Sequence, residues 1–117
     1  MTKAALSFAL CLFFAACGQK SADPVAHAGQ RHEGTKLFLD THNKVDGLTA
    51  EAVAGAHKKD LEVEGKYNVH YLKYWFDEGS GRVYCLVEAP SKEAAERVHR
   101  EAHGLVADEI TEVEEGH

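Results

Sequence analysis

Apolar residues follow two rhythms along this chain, one of strands and one of helices. Lys36-Leu37-Phe38-Leu39-Asp40-Thr41-His42 is short, apolar and β-prone, and predicts a first strand. Asn43 to Gly47 is turn material. Thr49 then stands as a helix N-cap with Glu51 in the first turn, and Leu48 and Val53 fall where a hydrophobic staple would place them. The helix runs to about Val63, with Val53, His57 and Leu61 on one face and Asp60 beside His57, and Gly65 ends it. Asn68 to Phe76 is the densest aromatic and β-branched run. Strict alternation gives it the faces Val69, Tyr71, Lys73, Trp75 and His70, Leu72, Tyr74, Phe76. Asp77 to Gly81 reads as a hairpin loop, and Arg82 to Glu88 as the next strand, with Val83, Cys85 and Val87 on one face. Ser91 caps a second helix whose core stripe is Ala95, Val98, Ala102 and Leu105, flanked by His99 and His103, with Gly104 just past its end. A last strand lies around Asp108 to Val113.

The order βαββαβ predicts a ferredoxin-like α+β domain over residues 35–115, an antiparallel sheet with two helices on one face. In that topology the end of the first strand and the end of the second helix share an edge, so His42, His99 and His103 approach one another. His57 and Asp60 belong to the opposite edge, with Cys85 at an intermediate level. Both faces of the Asn68–Phe76 strand carry large apolar side chains, whereas helices on one side of a sheet need only one such face. A second copy of the chain covering the open sheet face, as in a dimeric α+β barrel, accounts for the surplus and relieves a small core.

The first 34 residues follow a different pattern. Thr2 and Lys3 precede an uncharged, mostly apolar run from Ala4 to Ala16, of signal-peptide length and too short to span a bilayer comfortably. Phe14-Ala15-Ala16-Cys17-Gly18 resembles the lipobox of bacterial lipoproteins. That reading makes residues 1–16 a leader, Cys17 a lipidated anchor, and residues 17–34, with His27 and His32, a flexible solvated tether. Gly18 after the cysteine favours the outer membrane in a Gram-negative host. An ordinary signal peptide cut near Ala16 is the alternative. Cys11 and Cys17 then leave Cys85 as the one cysteine of the domain, so the domain has no internal disulfide. Without Lys3, twelve basic residues face nineteen acidic ones, which disfavours nucleic-acid binding.

His99 and His103 stand four residues apart, one above the other on a helix face, a spacing that suits two imidazole ligands of one transition metal. The pattern His-Arg-Glu-Ala-His is not the His-Glu-x-x-His of zinc proteases, because Glu101 is one place late. His42 is the third candidate; His57, Asp60 and Cys85 are secondary candidates, and a strand-end Glu88 is a possible carboxylate. No phosphate loop, nucleophile elbow or CxxC motif is present.

Ala56-His57-Lys58-Lys59-Asp60, Tyr74-Trp75-Phe76-Asp77, Cys85-Leu86-Val87-Glu88-Ala89-Pro90 and Val98-His99-Arg100-Glu101-Ala102-His103-Gly104 occur in that order. Together they resemble a small bacterial family of nickel-binding, nickel-responsive proteins, whose Asp-x-His also matches Asp40-Thr41-His42. The resemblance implies a ferredoxin-like fold, a homodimer packed sheet to sheet, and nickel, with zinc or copper as substitutes. The expectation is a lipid-anchored, non-catalytic protein that sequesters or senses metal at the cell envelope. A small dimeric α+β barrel enzyme of the monooxygenase or isomerase type, using the histidines as acid and base, and a purely structural dimer module are the rival readings.

Overall fold

The computed structural model describes residues 30–117, so the leader, Cys17 and the tether as far as residue 29, with His27, lie outside the described residues. The elements are β1 (Lys36–His42), α1 (Ala50–Val63), β2 (His70–Asp77), β3 (Arg82–Ala89), α2 (Lys92–Ala102) and β4 (Glu109–Glu112). Among the described residues they form a four-stranded antiparallel sheet in the order β2-β3-β1-β4. This is the ferredoxin-like α+β fold. Its core lies between the helices and one sheet face, built from Phe38 of β1, Val83, Cys85 and Val87 of β3, Val53 of α1, and Ala95 and Val98 of α2.

Local chemistry sets both helix starts. Thr49 Oγ1 accepts from Ala52 N–H at 3.1 Å, and Ser91 Oγ accepts from Ala94 N–H at 3.2 Å. Leu48 and Val53, the staple pair, are both buried in the core. Gly65, by contrast, does not terminate the first helix. The chain tightens into a 3-10 turn, Glu64–Tyr67, and leaves it at Asn68, which takes a left-handed φ of 52°. At the end of α2, Gly104 adopts φ +81° and its N–H bonds back to His99 O at 2.8 Å, which closes the helix as expected.

Three expectations about burial fail, each for a physical reason. The alternation predicted for β2 is broken by a bulge between Tyr71 and Lys73, where the register against β3 slips. Tyr71 opposes Val87 and Tyr74 opposes Cys85, so both tyrosines face the helices, while Leu72 and Trp75 stand on the outer face, 46% and 48% exposed. On α1 the buried stripe runs through Val53 and Asp60, which are 8% and 2% exposed, and Leu61 is rotated into solvent. Leu105 is likewise exposed, because the turn at Gly104 ends the stripe of α2 before it.

One close backbone approach shapes the end of the domain where the site lies. Val45 N–H donates to Gly81 O at 2.8 Å, tying the β1–α1 loop to the β2–β3 turn. Gly81 has φ +75°, and a Cβ there would come within 3.3 Å of the Val45 backbone. This contact sets Val45 beside the end of the sheet, where it forms one wall of the cavity described next.

Candidate metal centre

His99 is the centre of the site. It is 1% exposed, on the same helix face as Ala95 and Val98, rather than on the flank of that stripe. A buried imidazole must satisfy both ring nitrogens. Nδ1 lies 2.9 Å from Asp60 Oδ1 of α1, in hydrogen-bonding geometry. Nε2 lies 2.9 Å from Asp40 Oδ2 of β1, an ion-pair distance, yet without the direction of a ring N–H hydrogen bond. Among the described residues, His99 Nε2 and Asp40 Oδ1 are the buried side-chain polar atoms without a hydrogen-bond partner.

Burial works against a charge on His99, but the carboxylates of Asp40 and Asp60 outweigh it and raise its pKa to about 11. Asp60 is likewise opposed by burial and held below the usual carboxylate range by its hydrogen bonds to His103 and His99. His103 Nε2 lies 3.1 Å from Asp60 Oδ1, while Leu105 N–H donates to His103 Nδ1 at 3.1 Å. The proton of His103 therefore sits on Nε2, towards Asp60. Without metal, Asp60 accepts from two imidazoles at once.

Tyr71 closes the cluster from β2. Its hydroxyl lies 3.2 Å from Asp40 Oδ2 and 3.1 Å from Ala95 O, so its one proton serves either acceptor. The Tyr71 ring stacks on His99 with centroids 4.8 Å apart. Burial, then the Asp40 carboxylate, push its phenol well above the ordinary range, so it keeps its proton to donate.

The remaining ligand types stand beside this core. His42 is buried, 5.2 Å from His99 between ring centroids, and burial together with the nearby His99 charge lowers its pKa, leaving a neutral imidazole. Burial pushes the Cys85 thiol up, against the opposing influence of the neighbouring His99. One ligand atom each from His42, Cys85 and His99 fall within 4.8 Å of one another, and so do those of Asp60, His99 and His103. The two sets share His99. They line a cavity of about 150 Å³ whose walls include Val45, Leu48, Val53, Ala56 and Val83.

Comparison with known proteins follows the same residues. A family described as nickel-responsive protein, SCO4226-like, matches residues 38–113. The chain belongs to this family. The crystal structure of SCO4226 from Streptomyces coelicolor A3(2) is similar at 46% sequence identity and a TM-score of 0.65, over 69% of this chain and 99% of that one. Among curated proteins, none matches.

Most of the candidate ligands converge on one place. His42, His99 and His103 come together as the topology predicted. Asp60 and Cys85 join them, which corrects the assignment of Asp60 to the opposite edge: it reaches His99 and His103 directly. His57 lines the same cavity but makes no hydrogen bond to Asp60; its ring instead packs against Tyr74, centroids 4.9 Å apart. Glu88 is turned away from the centre. Its carboxylate accepts from His32 N–H at 3.0 Å and pairs with His32 Nδ1 at 2.6 Å, while the His32 ring stacks on His70 at 3.5 Å. His32 is therefore docked on the domain while its side chain stays half-exposed.

Sequence reasoning passed over Asp40 and Tyr71 as parts of the site. The available signal was parity: Asp40 shares a strand face with Phe38 and His42, and Tyr71 shares one with Val69. A carboxylate on a core-facing strand position requires a buried partner.

The donor set fits a borderline divalent cation. Imidazole, thiolate and carboxylate together suit Ni²⁺, Zn²⁺ or Cu²⁺ rather than Mg²⁺ or Ca²⁺. The unpartnered Nε2 of His99 supplies a buried lone pair once its proton leaves, and the neutral His42 is ready to coordinate.

Proposed function

We propose that this chain binds nickel, or a divalent ion of that type, at the buried cluster around His99, and that it sequesters or senses the metal without catalysis. The observation that carries this reading is the convergence of four ligand-type side chains, from β1, α1, β3 and the C-terminal end of α2, on one buried imidazole. Membership of a nickel-responsive family supports the choice of metal. Binding in this arrangement exchanges protons for the cation, since Cys85 and His99 hold theirs in the metal-free state.

The same proposal places the protein at the envelope, anchored through Cys17 and, in a Gram-negative host, at the outer membrane. It also pairs two copies through their outer sheet faces. The half-exposed Leu72 and Trp75 on that face support the pairing, since apolar side chains of this size gain most from being covered.

Calorimetric titration of the purified protein with Ni²⁺, Zn²⁺ and Cu²⁺ tests the metal reading. The comparison is His42→Ala/His103→Ala, which removes one ligand from each set and leaves the His99 pairings intact. Nickel affinity is expected to fall at least ~100-fold in the variant, about the loss of two ligand contacts. Equal, weak uptake by both proteins would sink the proposal.

A further inference from the structure

Each ligand set offers three protein atoms. A nickel, zinc or copper ion takes at least four donors, so a metal held by one set alone keeps at least one position beyond that set. All five ligand side chains line the same cavity, so the space beside that position is the cavity itself.

The shape and chemistry of the cavity select its occupant. Its volume is about 150 Å³. An apolar cavity of that size in a protein accepts a benzene ring. Here Val45, Leu48, Val53, Ala56 and Val83 make the wall apolar, which disfavours a hydrated anion and favours an uncharged ring. The partly buried rings of His57 and Tyr74 stand at its lining, in position to pack against an aromatic guest.

Resting on the metal-binding reading above, we infer that this cavity is a co-ligand pocket, in which a small neutral azole ring of the imidazole class coordinates the bound metal through its nitrogen. The protein then holds the metal as a ternary complex. The apolar wall supplies binding energy for the ring that solvent-exposed coordination would lack.

The test titrates imidazole into the nickel-loaded purified protein and follows the visible absorption of the metal. Wild type is compared with Ala56→Phe, which fills the cavity from a wall position that offers no metal ligand. Ala52→Leu serves as a second cavity-filling variant, and circular dichroism checks that both fold. Wild type is expected to saturate with imidazole at an affinity at least tenfold above either filled variant, while nickel affinity by calorimetry stays within about twofold. Equal imidazole affinity in wild type and filled variants would overturn the inference. A metal-free arm separates this failure from failure of the metal reading. Benzene is expected to shift the NMR methyl signals of Val53 and Val83 in the apo protein. Absence of those shifts overturns the pocket even if nickel binds. Shifts without any nickel uptake refute the metal reading, and with it the co-ligand role.

Discussion

Asp60→Ala in the metal-free protein tests the cluster most directly. Asp60 is 2% exposed and its Oδ1 lies 2.9 Å from His99 Nδ1 and 3.1 Å from His103 Nε2. Removing one partner of a buried, hydrogen-bonded charge costs about 3–5 kcal/mol, because the other is left uncompensated. An exposed pair such as Lys36–Glu112 would lose under about 1 kcal/mol. In a domain of this size 1 kcal/mol moves Tm by about 4–8 °C, so Asp60→Ala is expected to melt at least ~12 °C lower. The pH dependence sharpens the test. The pKa of His99 is raised from 6.5 to about 11 on folding, so its contribution to stability is fully present below about pH 6.5 and is lost as pH rises towards 11. Asp60 is shifted down, so its contribution is present above the ordinary carboxylate range and disappears as pH falls through its folded value. Of these two, only the His99 contribution changes between pH 6 and pH 9, and the titrations of His42 and Cys85 are common to both proteins. Wild-type stability therefore declines across that interval, the variant's declines less, and the gap between them narrows. Urea unfolding in the presence of a chelator at both pH values measures it. A gap under ~1 kcal/mol, or one of equal size at pH 6 and pH 9, would show that Asp60 does not hold the imidazolium of His99.

Two further outcomes follow from the same geometry. Tyr71→Phe removes the hydroxyl that serves Asp40 and Ala95 O, and is expected to lower the unfolding free energy by about 1–3 kcal/mol in urea titration; an unchanged midpoint would mean that Asp40 finds its partner elsewhere. Cys85 is buried with its thiol pKa raised, so in a Cys11→Ser/Cys17→Ser background Ellman's reagent should react with it far more slowly at pH 8 than with a free thiol, and nickel should slow it further. Reaction at the free-thiol rate in the folded protein would contradict that environment.

The parts of this fold that could be read in the sequence are those decided within a few residues. The caps at Thr49 and Ser91 depend on one side chain meeting nearby backbone, the glycine after α2 on a positive φ that glycine takes freely, and β1 on a short apolar run, and each stands where expected. The faces of β2 depend instead on its register against β3. A single inserted residue at Leu72 reverses the parity of everything after it, and no local pattern announces the insertion. The path of the chain after α1 escaped for a related reason. Gly65 carries the usual signal of a helix stop, but the 3-10 turn continues past it and Asn68 takes the left-handed position instead.

The site was legible in its members and obscure in its depth. Reasoning from the edges of a ferredoxin-like sheet separated Asp60 from His99, yet α2 has eleven residues and is therefore only about 16 Å long. His99 lies within its last turn and a half, near enough to mid-layer for one side chain from α1 to reach it. Phe38, Asp40 and His42 share the inward face of β1, and Asp60 shares a buried helix face with Val53. Two inward carboxylates in so small a core demand a shared hydrogen-bond donor, for neither can be left alone away from water. Among the core-facing positions of α2, Ala95, Val98 and His99, one alone carries such donors. It carries two of them on opposite sides of a ring, which is why His99 sits at the centre of the cluster and why the two possible ligand sets share it.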